Sequence, residues 1–164
     1  MDMLPISFVI FITIPEVIVK IFLGLQLIGV KPPIKRVIIA GILQGIAVYF
    51  IRNYYEYDLS FILQTIIAIF LTFTIVRVRL LCSLLVNLIG TAIAILVETA
   101  YLIIFLKVTQ LTYVEIISRE WLRVASLAPK IVILLLILIM VIKSKITIEE
   151  EISFLGKINK HIKM

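Results

Sequence analysis

At 164 residues, 63% of them hydrophobic, and with a mean hydropathy of +1.23, the chain carries more apolar surface than a water-soluble domain of its size can hide. The formal charge of +6 would suit a nucleic-acid binder, but the basic residues gather in short segments between long apolar runs. That distribution argues against nucleic acid and for a lipid bilayer as the surrounding solvent.

In a bilayer each span needs about 20 apolar residues in helical form, so that the backbone satisfies itself. Five stretches are read as spans: Leu4–Ile28, Val37–Ile51, Leu59–Val76, Leu80–Leu106 and Leu122–Ile142. The fold class expected is therefore all-α, a polytopic bundle of five helices in one transmembrane domain over residues 1–142, with a short cytoplasmic tail over 143–164. The second span is short and the fourth long, so their tilts should differ.

The first stretch lacks a basic leading region and a small-residue cleavage site, so it reads as a span and not as a removable signal. Thr13, Glu16, Lys20 and Gly24 align along one of its faces, and Pro15 opens the hydrogen-bond ladder beside the carboxylate. Glu16 and Lys20, one turn apart, are expected to neutralise each other. Val30-Lys31-Pro32-Pro33 then stops the helix, because proline cannot continue it.

Span two places Gly41, Gln44, Gly45 and Arg52 on one face. Its Gly41-x-x-x-Gly45 spacing admits a close neighbour, equally a second copy of the chain or another span of the same chain. The tyrosine-rich segment from Asn53 to Asp58 suits a membrane–water interface. Span three, with only Gln64, Thr65 and Thr72 as polar points, reads as a peripheral support. Arg77-Val78-Arg79 makes a tight hairpin into span four.

Span four is the most informative. Ser83, Asn87, Gly90, Thr91, Ala94, Glu98 and Tyr101 fall within roughly a quarter of the helix circumference. The lone cysteine, Cys82, has no disulfide partner and reads as a buried thiol or, alternatively, a palmitoylation site. In the connection from Lys107 to Trp121, Leu111, Val114, Ile117 and Ser118 recur at helical spacing. The segment is either a surface helix anchored by Trp121 or an ordinary polar loop. Span five aligns Arg123, Ser126 and Lys130 near Pro129. From Lys143 the tail spaces Ile148, Ile152, Leu155, Ile158 and Ile162 as an amphipathic helix.

The basic clusters Lys31–Lys35–Arg36, Arg77–Arg79 and Lys143–Lys145 all follow odd-numbered spans. Positive charge is retained in the cytoplasm, so the N-terminus is expected outside and the tail inside. On that topology Arg52, Glu98, Arg123 and Lys130 lie in the outer half of the membrane, above the Glu16–Lys20 pair. Charges at this depth cost about 2.5–3.5 kcal/mol each even on the lenient insertion scale, so they should face inward and find partners. The reading is an outward-facing polar cavity. Its ligand-side residues are Arg52, Glu98, Arg123 and Lys130, with Glu16–Lys20 as a coupled pair beneath and Asn87, Thr91 and Gln44 completing the polar stripe. Its surplus of cations favours an anionic ligand group. A purely structural alternative pairs Glu98 with Arg123 to fix helix register.

Catalysis needs a convergent nucleophile, base and polarising group. The one histidine, His161, lies in the tail, and no zinc-ligand spacing or phosphate-binding glycine loop occurs. An enzyme, a cofactor and a metal site are therefore not expected. Pro15-Glu16 in span one, Arg52 closing span two, Glu98 in span four, and Arg123 with Pro129 in span five resemble the membrane sensor region of Firmicute accessory-gene-regulator-type histidine kinases, the quorum-sensing and sporulation-like group, and related small stand-alone membrane proteins. The resemblance runs over about Met1–Ile142. It implies an extracellular peptide or small-molecule signal, a homodimer, and transmission through the last span to a cytoplasmic histidine kinase. The kinase domain is not present, and His161 in Asn159-Lys160-His161-Ile162 lacks the Arg-His-Asp setting of that group's phospho-acceptor. A sensor fragment, or a stand-alone sensor or adaptor docking a separate soluble partner through its tail, is the expectation. The alternatives are a small substrate-binding transport protein and a structural membrane anchor.

Overall fold

The structure, a computed structural model, describes residues 5–31, 34–55, 57–110, 116 and 120–144. Among the described residues, five helices are long and apolar enough to cross a membrane, and there is no strand. They are α1 (Ile6–Leu27), α2 (Ile34–Tyr54), α3 (Tyr57–Leu71, continued by a π turn over Thr72–Val76), α4 (Leu80–Thr109) and α5 (Glu120–Ser144). The chain is an all-α polytopic membrane bundle. Phe11, Leu88, Leu96 and Ile104 stand exposed around its outside, the arrangement that suits acyl chains as solvent.

Local chemistry explains each boundary. Pro15 has no N–H, and its ring crowds the carbonyl of Phe11, so α1 widens into a π turn over Val9–Thr13 just before it. At its other end Gly29 takes a φ of 81°. There the N–H groups of Gly29 and Val30 donate to the carbonyls of Gln26 and Leu25, both at 3.0 Å. This is a Schellman ending, and it halts α1 before the prolines do. Helix α2 is longer than the Val37–Ile51 expected, because Lys35, Arg36, Arg52 and Asn53 continue the helix with polar groups that reach its watery ends. Helix α3 ends where Arg77 turns left-handed at φ 60°. Helix α4 runs past Leu106 through Lys107, so that lysine belongs to the helix and not to the connection. It stops at Gln110, whose φ is 56° and whose N–H donates to the Leu106 carbonyl at 3.0 Å. Of the amphipathic segment expected around Leu111–Ser118 only Ile116 is among the described residues, and of the tail expected from Lys143 only the first two residues, which complete α5.

Helix α1 sits in the middle of the bundle, packed on α2, α4 and α5, while α3 flanks α2 and α4. Lipid tails are as apolar as leucine, so contact between these helices depends on close fit and not on a hydrophobic drive. Two glycines supply it between α1 and α4. A Cβ on Gly24 would run into the backbone carbonyl of Val86, and one on Gly90 would lie 2.6 Å from the carbonyl oxygen of Lys20. Gly41 and Gly45 of α2 receive the side chains of Ile18 and Ile14 of α1. The small-residue face of α2 thus serves packing within one chain.

Candidate functional site

The charges of α1, α4 and α5 meet at one point. The Lys130 ammonium donates to Glu16 Oε2 at 2.8 Å and to Glu98 Oε2 at 3.0 Å, joining helices that lie 114 and 32 residues away in sequence. Lys130 is only 2% exposed. A cation this deep persists because two charge-assisted hydrogen bonds replace its hydration. Pro129 in α5 directly precedes it. On α1, the π turn and Pro15 stand just before Glu16.

This partnership adds Lys130 to the Glu16–Lys20 pair expected from the sequence. Glu16 does have Lys20 one turn along, but at 3.6 Å, beyond a good hydrogen bond, so Lys130 is its close partner. Glu98, free of any cationic partner on its own helix, takes Lys130 of α5. The Arg123 side chain lies outside the described residues, although its backbone is part of α5.

Above the triad opens a cleft of about 130 Å³, to which every helix contributes. Helix α1 gives Thr13, Glu16 and Lys20, α2 gives Gln44 and Arg52, α3 gives Gln64, and α4 and α5 give the ends of Glu98 and Lys130. Among the described residues no ion pair engages Arg52, and Lys20 is only loosely held. Gln44 is 7% exposed, and its carbonyl oxygen Oε1 is buried without a hydrogen-bond partner. Such a group costs about 1–3 kcal/mol while it stays unpaired. The cleft therefore offers one or two available cations beside one unanswered acceptor.

Of the residues expected in the site, Glu16, Lys20, Gln44, Arg52, Glu98 and Lys130 come together around the cleft. Asn87 does not. Its amide donates to the Ser83 carbonyl at 2.8 Å, to Thr72 Oγ1 at 3.1 Å and to the Ala68 carbonyl at 3.4 Å. Ser83 Oγ donates to the Ile69 carbonyl at 2.6 Å beside it. These bonds tie α4 to the π-turn end of α3, so the lower part of the α4 stripe is a helix–helix seam. Thr91, half-buried, is likewise not among the cleft residues.

Gln64 is the residue that sequence reasoning set aside. It enters the cleft from the supposed support helix, and its Nε2 donates to Ser60 Oγ at 2.7 Å. The four-residue spacing of Ser60 and Gln64, two polar groups on one face of an apolar helix, was the available signal. Cys82 is 1% exposed and packed in the main core, the buried-thiol alternative of the two. Among the described residues no cluster of side chains could hold a metal ion.

No protein-family model, curated protein or solved structure matches the chain.

Proposed function

We propose that this chain is a membrane sensor or adaptor that takes a ligand into the polar cleft and passes its occupancy along α5 to a cytoplasmic partner. The observation that carries the reading is the Lys130 clamp. One ammonium holds α5 to both α1 and α4 at the floor of a cleft lined by Arg52, Lys20 and an unanswered Gln44. An anionic group entering there competes with Glu16 and Glu98 for cationic partners, and α5 is the element whose attachment then changes. A ligand shifts such an equilibrium only through its different affinity for the two arrangements, and exchange of charged partners provides that difference.

The basic clusters at the end where α1, α3 and α5 finish support a cytoplasmic position for that end and an outward-facing cleft. The sequence resemblance of Pro15-Glu16, Arg52, Glu98, Arg123 and Pro129 to the accessory-gene-regulator-type sensor region supports the same reading. A separate kinase is the partner that the similarity suggests.

The test is affinity purification from native membranes of the full chain and of a form ending at Lys145, with co-purifying proteins identified by mass spectrometry. A signalling protein recovered with the full chain and lost on truncation is the expected result. Recovery of ATPase subunits in its place would move the cleft to transport. Identical recovery from both forms would overturn the adaptor role.

A further inference from the structure

The cleft also constrains its ligand, provided that it is a ligand site as proposed above. We infer that it takes a free, small α-amino acid as its zwitterion. Three observations converge on that class. First, Lys20, Arg52 and Lys130 face Glu16 and Glu98 around the cleft, leaving one positive charge uncompensated. Arg52 has no ion pair among the described residues, and it presents the fork of donors that a carboxylate fits. Second, Gln44 Oε1 is a buried acceptor with nothing donating to it. A bare anion such as chloride would satisfy the cation and leave this oxygen unanswered. A ligand that answers both must carry a hydrogen-bond donor close to its carboxylate, and an ammonium is the donor that the neighbouring Glu16 and Glu98 carboxylates also favour. Third, the space is about 130 Å³. A cavity of about 150 Å³ holds benzene, so the occupant has about six heavy atoms. Glycine, alanine and serine meet all three conditions, and a peptide of several residues exceeds the third.

In this assignment the carboxylate lies on Arg52, with Lys20 beside it, and the ammonium donates to Gln44 Oε1. The carboxylates of Glu16 and Glu98 stay on Lys130 or turn toward the incoming ammonium, so the ligand's positive charge acts on the triad while its carboxylate is held by Arg52 and Lys20 outside it. A metal cation has no such place, because three cationic side chains repel it.

The experiment uses the purified full chain in nanodiscs and calorimetric titration with L-alanine, propionate, L-alaninamide and trialanine. Alanine should bind saturably, with propionate and alaninamide at least about tenfold weaker, since each lacks one of the paired groups. Arg52→Gln and Gln44→Leu should each weaken alanine by about tenfold or more, whereas Thr65→Val, on the exposed side of α3, should leave it unchanged. A melting temperature for Gln44→Leu at or above that of the parent chain establishes that the variant is folded. Propionate binding as well as alanine would overturn the donor requirement, and trialanine binding as well would overturn the size limit. Either result sinks this inference while leaving the sensor reading intact. Alanine binding with no change in the recovered cytoplasmic partner would sustain the ligand class and sink the sensing role. No binding by any of the four probes would overturn the amino-acid assignment outright.

Discussion

Replacing Lys130 by methionine removes the single group on which two carboxylates depend, while keeping nearly the same length and apolar stem. The two carboxylates differ in what they then face. Glu16 is 16% exposed and loses its 2.8 Å partner, keeping Lys20 only at 3.6 Å. Glu98 is 38% exposed and is partly solvated in the cleft, so its loss is smaller. Leaving a buried charge unpaired costs about 3–5 kcal/mol. The presence of Lys20 puts the expectation at the low end, about 3 kcal/mol. Replacing both members of a buried pair by neutral groups is often close to neutral, so Glu16→Gln with Lys130→Met should recover to within about 1 kcal/mol of the parent chain. Glu98→Gln alone should cost about 1 kcal/mol or less. The assay is equilibrium unfolding in mixed micelles by titration with a denaturing detergent, read as a double-mutant cycle. A Lys130→Met protein within about 0.5 kcal/mol of the parent chain would refute the clamp, because surface substitutions commonly fall in that range. A double variant as unstable as the summed singles would refute the Glu16 partnership.

Gly90→Ala places a methyl group against the Lys20 carbonyl and forces two backbones apart, so it should lower stability by about 1–3 kcal/mol. Gly41→Ala crowds Cγ1 of Ile18 and not a backbone carbonyl, so the same unfolding assay should show a smaller loss than for Gly90→Ala. Asn87→Leu breaks the α3–α4 seam, and at about 0.6 kcal/mol per intramembrane hydrogen bond it should cost about 1–2 kcal/mol without altering ligand binding in the cleft. A cysteine at Tyr55 should react with an impermeant thiol reagent in intact cells, and one at Arg77 only after permeabilisation. The opposite pattern would invert the assigned topology.

The spans were legible because nothing but a bilayer accommodates five such apolar runs, and the fourth was rightly read as long. Their ends were less so. Hydropathy stops counting at Lys35 or Arg52, whereas the helix continues as long as the backbone bonds and the side chains can reach water. The membership of the site was largely readable from polar stripes, but its pairing was not. Sequence spacing reveals Lys20 next to Glu16 because both lie on one helix. Lys130 becomes the closer partner only through the approach of α5 to α1, which depends on packing. The stripe of α4 misled for a related reason. Over a helix of this length one face meets several neighbours in turn, α3 at Asn87, α1 at Gly90 and the cleft at Glu98.

The distance in sequence between the members of the triad has a consequence for how the protein is made. A ribosome adding about 5–20 residues per second delivers Lys130 roughly 6–23 s after Glu16, given the separation of 114 residues. The first span enters the bilayer with its carboxylate and one cation on its own helix, the Lys20 ammonium a single turn away. The loose 3.6 Å pair is thus the partner available during insertion, and Lys130 is its successor at assembly. Lys20→Leu should accordingly reduce insertion of the nascent first span more than it reduces the stability of the finished bundle, a difference that a glycosylation-mapped translation assay would register.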